Sequence, residues 1–164
     1  MNFVSIIMGS KSDYKIMSEC IEILKKFEVP YEVLIASAHR SPERAKNYVK
    51  EAEKKGAKVF IGAAGMAAHL AGAIASMTTK PVIGVPLTGG ALDGLDALLS
   101  TVQMPSGMPV GTLALGKAGA INAAYFAIQI LALQDTKLAE KLQKDRLEKL
   151  QKLEKDSKEI EQFI

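Results

Sequence analysis

The chain has 164 residues, enough for one sheet covered by helices and too few for two full domains. Apolar residues make up 48% and aromatics 5%, with no Trp and 13 Gly, so the core is built from Ala, Val, Ile, Leu and Met and its elements approach closely. The formal charge of +3, without a clustered basic face, suits a small anion rather than nucleic acid; the lone Cys20 excludes an internal disulfide, and no apolar run is long enough to cross a membrane.

Five short apolar segments, Phe3 to Met8, Tyr31 to Ala36, Lys58 to Gly62, Pro81 to Val85 and Gly111 to Leu115, read as strands. Runs such as Val4-Ser5-Ile6-Ile7-Met8 lack the alternation of a half-wet hairpin and fit strands buried on both faces of a parallel sheet. Helical patterns separate them: about Tyr14 to Phe27, Pro42 to Gly56, Ala67 to Met77, Leu92 to Gln103 and Ala118 to Leu133. In the second, Ser41 is expected to cap, Pro42 to open the helix and Gly56 to close it. Alternating βα units with short connections predict a three-layer α/β fold with right-handed crossovers, and five strands favour the flavodoxin-like order 2-1-3-4-5.

We expect a single domain over 1–164, with a core to about residue 134 and a helical extension over about 135–164. In that extension Leu138, Leu142, Leu150, Leu153, Ile160 and Phe163 form a loose stripe, which favours docking on a neighbouring subunit over a solvated, frayed helix. The helices over 67–75 and 118–127 are apolar nearly all round, which predicts a homo-oligomer. The start of the chain lacks the pattern of a secretory signal, so a cytoplasmic protein is expected.

In an open parallel sheet ligands bind beyond the carboxyl ends of the strands, where the strand order reverses. The polar, glycine-rich residues collect there: Gly9-Ser10-Lys11-Ser12-Asp13 after strand one, Ser37-Ala38-His39-Arg40 after strand two, Ala63 to His69 after strand three, and Leu87-Thr88-Gly89-Gly90 after strand four. The first loop is expected to hold an anion on backbone N–H groups and hydroxyls at a helix start, although a Ser and an Asp in that position also serve as plain caps. It matches neither the triphosphate loop nor the dinucleotide fingerprint. Arg40 is placed to reach the same phosphate with its forked guanidinium.

Both histidines of the chain, His39 and His69, fall in these loops, and imidazole exchanges protons near neutral pH. No Cys/His metal set is present, and Asp93 and Asp96 read as acids of one helix turn. The Pro- and Gly-rich segment 103–109 is expected to be an ordered loop, either a lid or a subunit contact.

Met8-Gly9-Ser10-Lys11-Ser12-Asp13, Ser37-Ala38-His39-Arg40, Gly65-Met66-Ala67-Ala68-His69-Leu70, Val102-Gln103-Met104-Pro105 and Pro109-Val110-Gly111-Thr112-Leu113-Ala114 closely resemble the PurE family of purine biosynthesis. They are similar to its class I branch, the N5-carboxyaminoimidazole ribonucleotide mutases, in order from about Val4 to Asp135. The resemblance implies a flavodoxin-like octamer that moves a carboxyl group from nitrogen to C4 of an imidazole ribonucleotide without metal, ATP or biotin. It implies that Ser10, Asp13 and Arg40 bind the ribose 5-phosphate part with help from Ser12, and that Ser37, Ala38, Gly65, Ala67 and Leu70 line the pocket around the imidazole. His39 would be the acid/base residue, and His69 would lie in the same substrate pocket.

The sequence departs from the family pattern at Ala71, where Pro is common, at Met66, where a second Gly is frequent, and in the loop Leu87 to Gly90. Two rival readings remain at this point. One is the class II branch, an aminoimidazole ribonucleotide carboxylase using free CO2; there Lys usually follows the loop-two histidine and the Ala-Ala-His-Leu motif is replaced. The other is a non-catalytic phosphate- or nucleotide-binding module, which would not need His39.

Overall fold

The computed structural model describes residues 2–161, so the predicted stripe residue Phe163 lies outside the described part. Five strands are present: β1 (Phe3–Met8), β2 (Tyr31–Ile35), β3 (Ala57–Gly65), β4 (Val82–Leu87) and β5 (Gly111–Thr112). Six α-helices accompany them: α1 (Tyr14–Lys26), α2 (Pro42–Lys55), α3 (Leu70–Ala75), α4 (Leu95–Val102), α5 (Gly116–Ala132) and α6 (Thr136–Ile160). All strand pairs are parallel and the order is β2-β1-β3-β4-β5, as the alternation of elements predicts. The order reverses between β1 and β3, and there the loops after the strands diverge to leave a crevice.

The chain divides into two compact units, one ending at Ile128 and one beginning at Gln129. In the first unit every residue of β1 and β4 is buried, which is why these strands read as unbroken apolar runs. Phe3, Ile7 and Phe60 pack with Val49 of α2 and Ile74 of α3, so α2 and α3 cover one face of the sheet. Side chains of alternate parity point to the other face. On that side Gly119 of α5 approaches Val85, Lys117 bridges to Glu19 of α1 at 2.6 Å, and Phe27 meets Tyr125 edge-to-face at 5.6 Å.

The element ends differ from expectation in instructive ways. β3 and β4 run on to Gly65 and Leu87 because the ladder between them continues through Ala63↔Val85, Ala64↔Pro86 and Gly65↔Leu87. β5 ends at Thr112 rather than Leu115, since only Ile83↔Gly111 and Gly84↔Thr112 pair. Beyond Val85, β4 is therefore flanked on one side only, and Pro86, which has no N–H to donate, is tolerated there. Helix α3 begins at Leu70 instead of Ala67: after Met66, which is left-handed at φ 55°, residues 67–69 form a tight turn in which His69 N–H donates to Ala67 O at 2.8 Å, a bond that the helical pattern does not use. Helix α4 begins at Leu95 after Gly94 at φ 92°, so Asp93, itself at φ 47°, lies before the helix and does not share its first turn with Asp96.

Ser41 does not cap α2 with its side chain; its hydroxyl instead accepts from Ser37 N–H at 2.9 Å and donates to Ser37 O at 3.2 Å, tightening the loop after β2. Gly56 closes α2 as expected, at φ 112°. The Pro-rich segment 103–109 is irregular. Met104 in it lies against Gly72 of α3, whose missing Cβ would stand 3.2 Å from the Met104 sulfur.

The second unit holds the last residues of α5 and helix α6, which Asp135 caps by accepting from Leu138 N–H at 3.0 Å. Leu138 and Asp145 are buried, and Asp145 pairs with Lys149 at 2.8 Å. Leu147, Leu150, Leu153 and Ile160 are exposed. Among the described residues no helix is long and apolar enough to cross a membrane.

Candidate functional site

Four strand ends meet around one pocket of about 560 Å³, within the size range of small-molecule sites. The loop after β1 forms its first wall, where Ser10, Ser12 and Asp13 line the cavity. A 3-10 turn over Lys11–Asp13 leads into α1 and carries a reciprocal capping box. Ser10 N–H donates to Asp13 Oδ2 at 2.8 Å, Ser12 N–H to Ser10 Oγ at 3.4 Å, and Asp13 N–H to Ser10 O at 3.2 Å. These three backbone donors, which the sequence suggested would grip an anion, are thus already used within the turn. The hydroxyls of Ser10 and Ser12, 3.0 Å apart, and the positive end of α1 remain to receive one.

The second wall comes from the loop after β2, with Ser37, Ala38, His39 and Arg40. Arg40 N–H donates to Ser37 Oγ at 3.1 Å, which folds the loop back on itself. The Arg40 guanidinium reaches over the neighbouring strand end and donates through Nη2 to Gly9 O at 3.1 Å. The cation therefore sits at the start of the first loop and shares the pocket with the Ser10 and Ser12 hydroxyls. Burial pushes the Asp13 carboxyl above its ordinary pKa, against the bonds from Ser10 and Ser12 and the attraction of Arg40, which pull the other way.

The end of β3 supplies Gly65, the loop after it Ala67 and His69, and the start of α3 Leu70. His39 Nε2 and His69 Nδ1 lie 2.9 Å apart with the ring planes at 76°. One nitrogen must carry a proton and the other a lone pair for this bond to form. Each ring therefore restricts the other's tautomer and orientation. Ala68 N–H donates to Ser100 Oγ of α4 at 3.0 Å, which anchors the backbone just before His69.

Every residue that the sequence singled out for the site lines this one pocket. Gly9, Ala64, Met66, Leu87, Thr88, Gly89 and Gly90 also line it; the sequence placed them in the strand-end loops without giving them a binding role. The rule that strand ends carry the site pointed at all of them, since each lies at or directly after the end of β1, β3 or β4. The segment 103–109, one candidate for a lid, contributes nothing to this lining. Among the described residues no three His, Cys, Asp or Glu side chains converge as a metal site. Cys20 is buried in α1, and burial pushes its thiol up to about 12, which leaves it protonated and unreactive.

The sequence profile of the AIR carboxylase family matches residues 3–152. The N5-carboxyaminoimidazole ribonucleotide mutase of Pyrococcus horikoshii is 52% identical over 160 residues, covering 98% of this chain and 89% of that protein. The enzyme of the same name from Escherichia coli K12 is 52% identical over 139 residues, 85% of this chain and 82% of its own length. The crystal structure of Treponema denticola PurE superimposes with a TM-score of 0.89 at 28% identity, covering 99% of this chain and 100% of that one. With a family profile spanning nearly the whole chain, close relatives at this identity and a site that assembles the family's motifs around one cavity, this chain belongs to the AIR carboxylase (PurE) family.

Proposed function

We propose that the chain is an N5-carboxyaminoimidazole ribonucleotide mutase of purine biosynthesis that uses His39 as its acid and base. The observation that carries the reading is the placement of His39, bonded to His69 at 2.9 Å, in the same cavity as the Ser10 and Ser12 hydroxyls and Arg40. Relatives about half identical to this chain bear that enzyme name, and Arg40 with Ala67-Ala68-His69-Leu70 matches the mutase branch rather than the carboxylase branch.

The ribose 5-phosphate binds at the first two walls, where two hydroxyls, a guanidinium and a helix start favour an anion, with Asp13 holding the turn. The imidazole then extends toward the loops after β3 and β4. A proton delivered from His39 to the carbamate nitrogen lets the N–C bond break, its electron pair staying on nitrogen and CO2 departing. The electron-rich C4 carbon attacks that CO2, the new C–C bond forms, and the proton lost from C4 returns to His39. The pocket contributes proximity by keeping both fragments together, and one imidazole serves both proton transfers. His69 keeps the His39 ring oriented through its hydrogen bond.

The test is conversion of the carbamate ribonucleotide by the purified protein, followed by formation of the C4-carboxylated isomer. His39→Asn should still bind the ribonucleotide while turnover falls by about 10²-fold or more; normal turnover in that variant would sink the role given to His39. Binding of the ribonucleotide by the parent protein with no isomerisation would favour a non-catalytic module. Turnover of the bare amine only at high bicarbonate would favour the carboxylase reaction.

The same reading places the protein in the cytoplasm, where this biosynthesis runs, as a homo-octamer. Exposed Leu95, Leu99 and Val102 on one face of α4, together with Leu113 and Phe126, support assembly. They would otherwise leave a large apolar area in water.

A further inference from the structure

Met66 departs from the glycine pattern of the family and has a backbone conformation that side chains rarely adopt, φ 55°. A strained residue that the core does not require points to a use at the site. Met66 is 62% exposed, and of the pocket-lining residues it is the one exposed large apolar side chain. Across from it, after β4, Gly89 and Gly90 stand at φ 140° and 71°. A Cβ added to Gly90 would meet Met66 Cγ at 3.3 Å and its sulfur at 3.9 Å, and no other residue within 4 Å. The Met66 side chain therefore stands next to the space that a side chain at Gly90 would fill, between the loops after β3 and β4.

The mutase reading, on which this inference rests, passes through CO2, a molecule without net charge or dipole that charged groups hold only weakly. Enclosing walls must therefore do most of the retaining. A Met side chain is apolar, polarisable and able to follow an irregular gap, and the gap it spans lies between the two loops toward which the imidazole points. We propose that Met66 is the wall residue that stops CO2 from escaping between the β3 and β4 loops. It thereby sets how often the carbamate is isomerised rather than lost as free amine and CO2. Both outcomes begin with the same N–C cleavage; they differ in whether C4 or water receives the CO2.

The experiment is a single turnover with enzyme in excess over carbamate ribonucleotide labelled with ¹³C in the carboxyl group, corrected for decay without enzyme. Label is counted in the C4 carboxylate and in dissolved CO2 and bicarbonate. The parent protein should keep most label on the nucleotide. In Met66→Gly and Met66→Ala the share released should rise several-fold, whereas Met66→Leu, apolar and of similar size, should stay close to the parent. Parent-like partitioning in the two truncations would overturn the proposal. Leakage from the glycine variant alone would also overturn it, because loop flexibility and not the lost side chain would then be responsible. If the parent itself formed no C4-carboxylated product, the mutase reading would fail instead, which keeps the two failures distinguishable.

Discussion

Asp13 shows how one side chain can serve both the turn and the site. Its carboxylate accepts from Ser10 N–H and so shapes the loop, but burial holds its pKa above the ordinary value of about 3.9. Between that ordinary value and the raised one, the native state binds more protons than the unfolded state. The contribution of Asp13 to stability is therefore complete at low pH and declines as pH rises through the native pKa. Asp13→Asn keeps an oxygen for Ser10 N–H and removes the desolvated charge. Its melting temperature relative to the parent should improve as pH climbs from 3 to 7, and a relative loss over that interval would contradict the burial argument. At this scale the sequence revealed residue types and the loop each belongs to. It did not reveal the bond between His39 and His69, which are 30 positions apart, because their meeting depends on β2 and β3 flanking β1 in the sheet.

For elements, packing overrules propensity at several glycines. Gly119 lies within α5, where Ala would gain about 0.5–1 kcal/mol by propensity alone. Yet a Cβ there would stand 2.0 Å from Ala114 O and 2.8 Å from the carbonyl carbon, and backbone in a tight approach cannot step aside. Gly119→Ala should lower stability in urea unfolding by about 1–3 kcal/mol; a neutral or stabilising result would show that the approach relaxes freely. Gly84 is similar, with its absent Cβ 2.3 Å from Thr101 Cγ2 of α4. Helix interiors were legible from apolar periodicity, and their ends less so. Ser41 carries the signature of a helix cap, yet its hydroxyl bonds the Ser37 backbone. The late start of α3 follows from the tight turn over 67–69, closed by His69 N–H on Ala67 O, a conformation that neighbouring residue types do not announce.

In the whole molecule, the question is what covers the apolar surface left outside. Leu95, Leu99 and Val102 recur at helical spacing on α4 and are exposed at 55%, 48% and 45%, more than a helix facing only water requires. Leu99→Glu should preserve the circular dichroism of the parent while reducing the mass seen by analytical ultracentrifugation; an unchanged mass would remove this face from the assembly. The alternation of strand and helix, the unbroken apolar runs of β1 and β4 and the residue types at each strand end were determined by the sequence itself. Those features follow from local periodicity and from the geometry of parallel βα units, which places loops of one kind at one edge of the sheet. Only the tertiary structure decided that His39 bonds His69, that the backbone donors of the first loop are spent within it, and that Met66 lies across Gly90. Each of these depends on distances between loops carried by different strands, which strand register and backbone conformation set and no local pattern encodes.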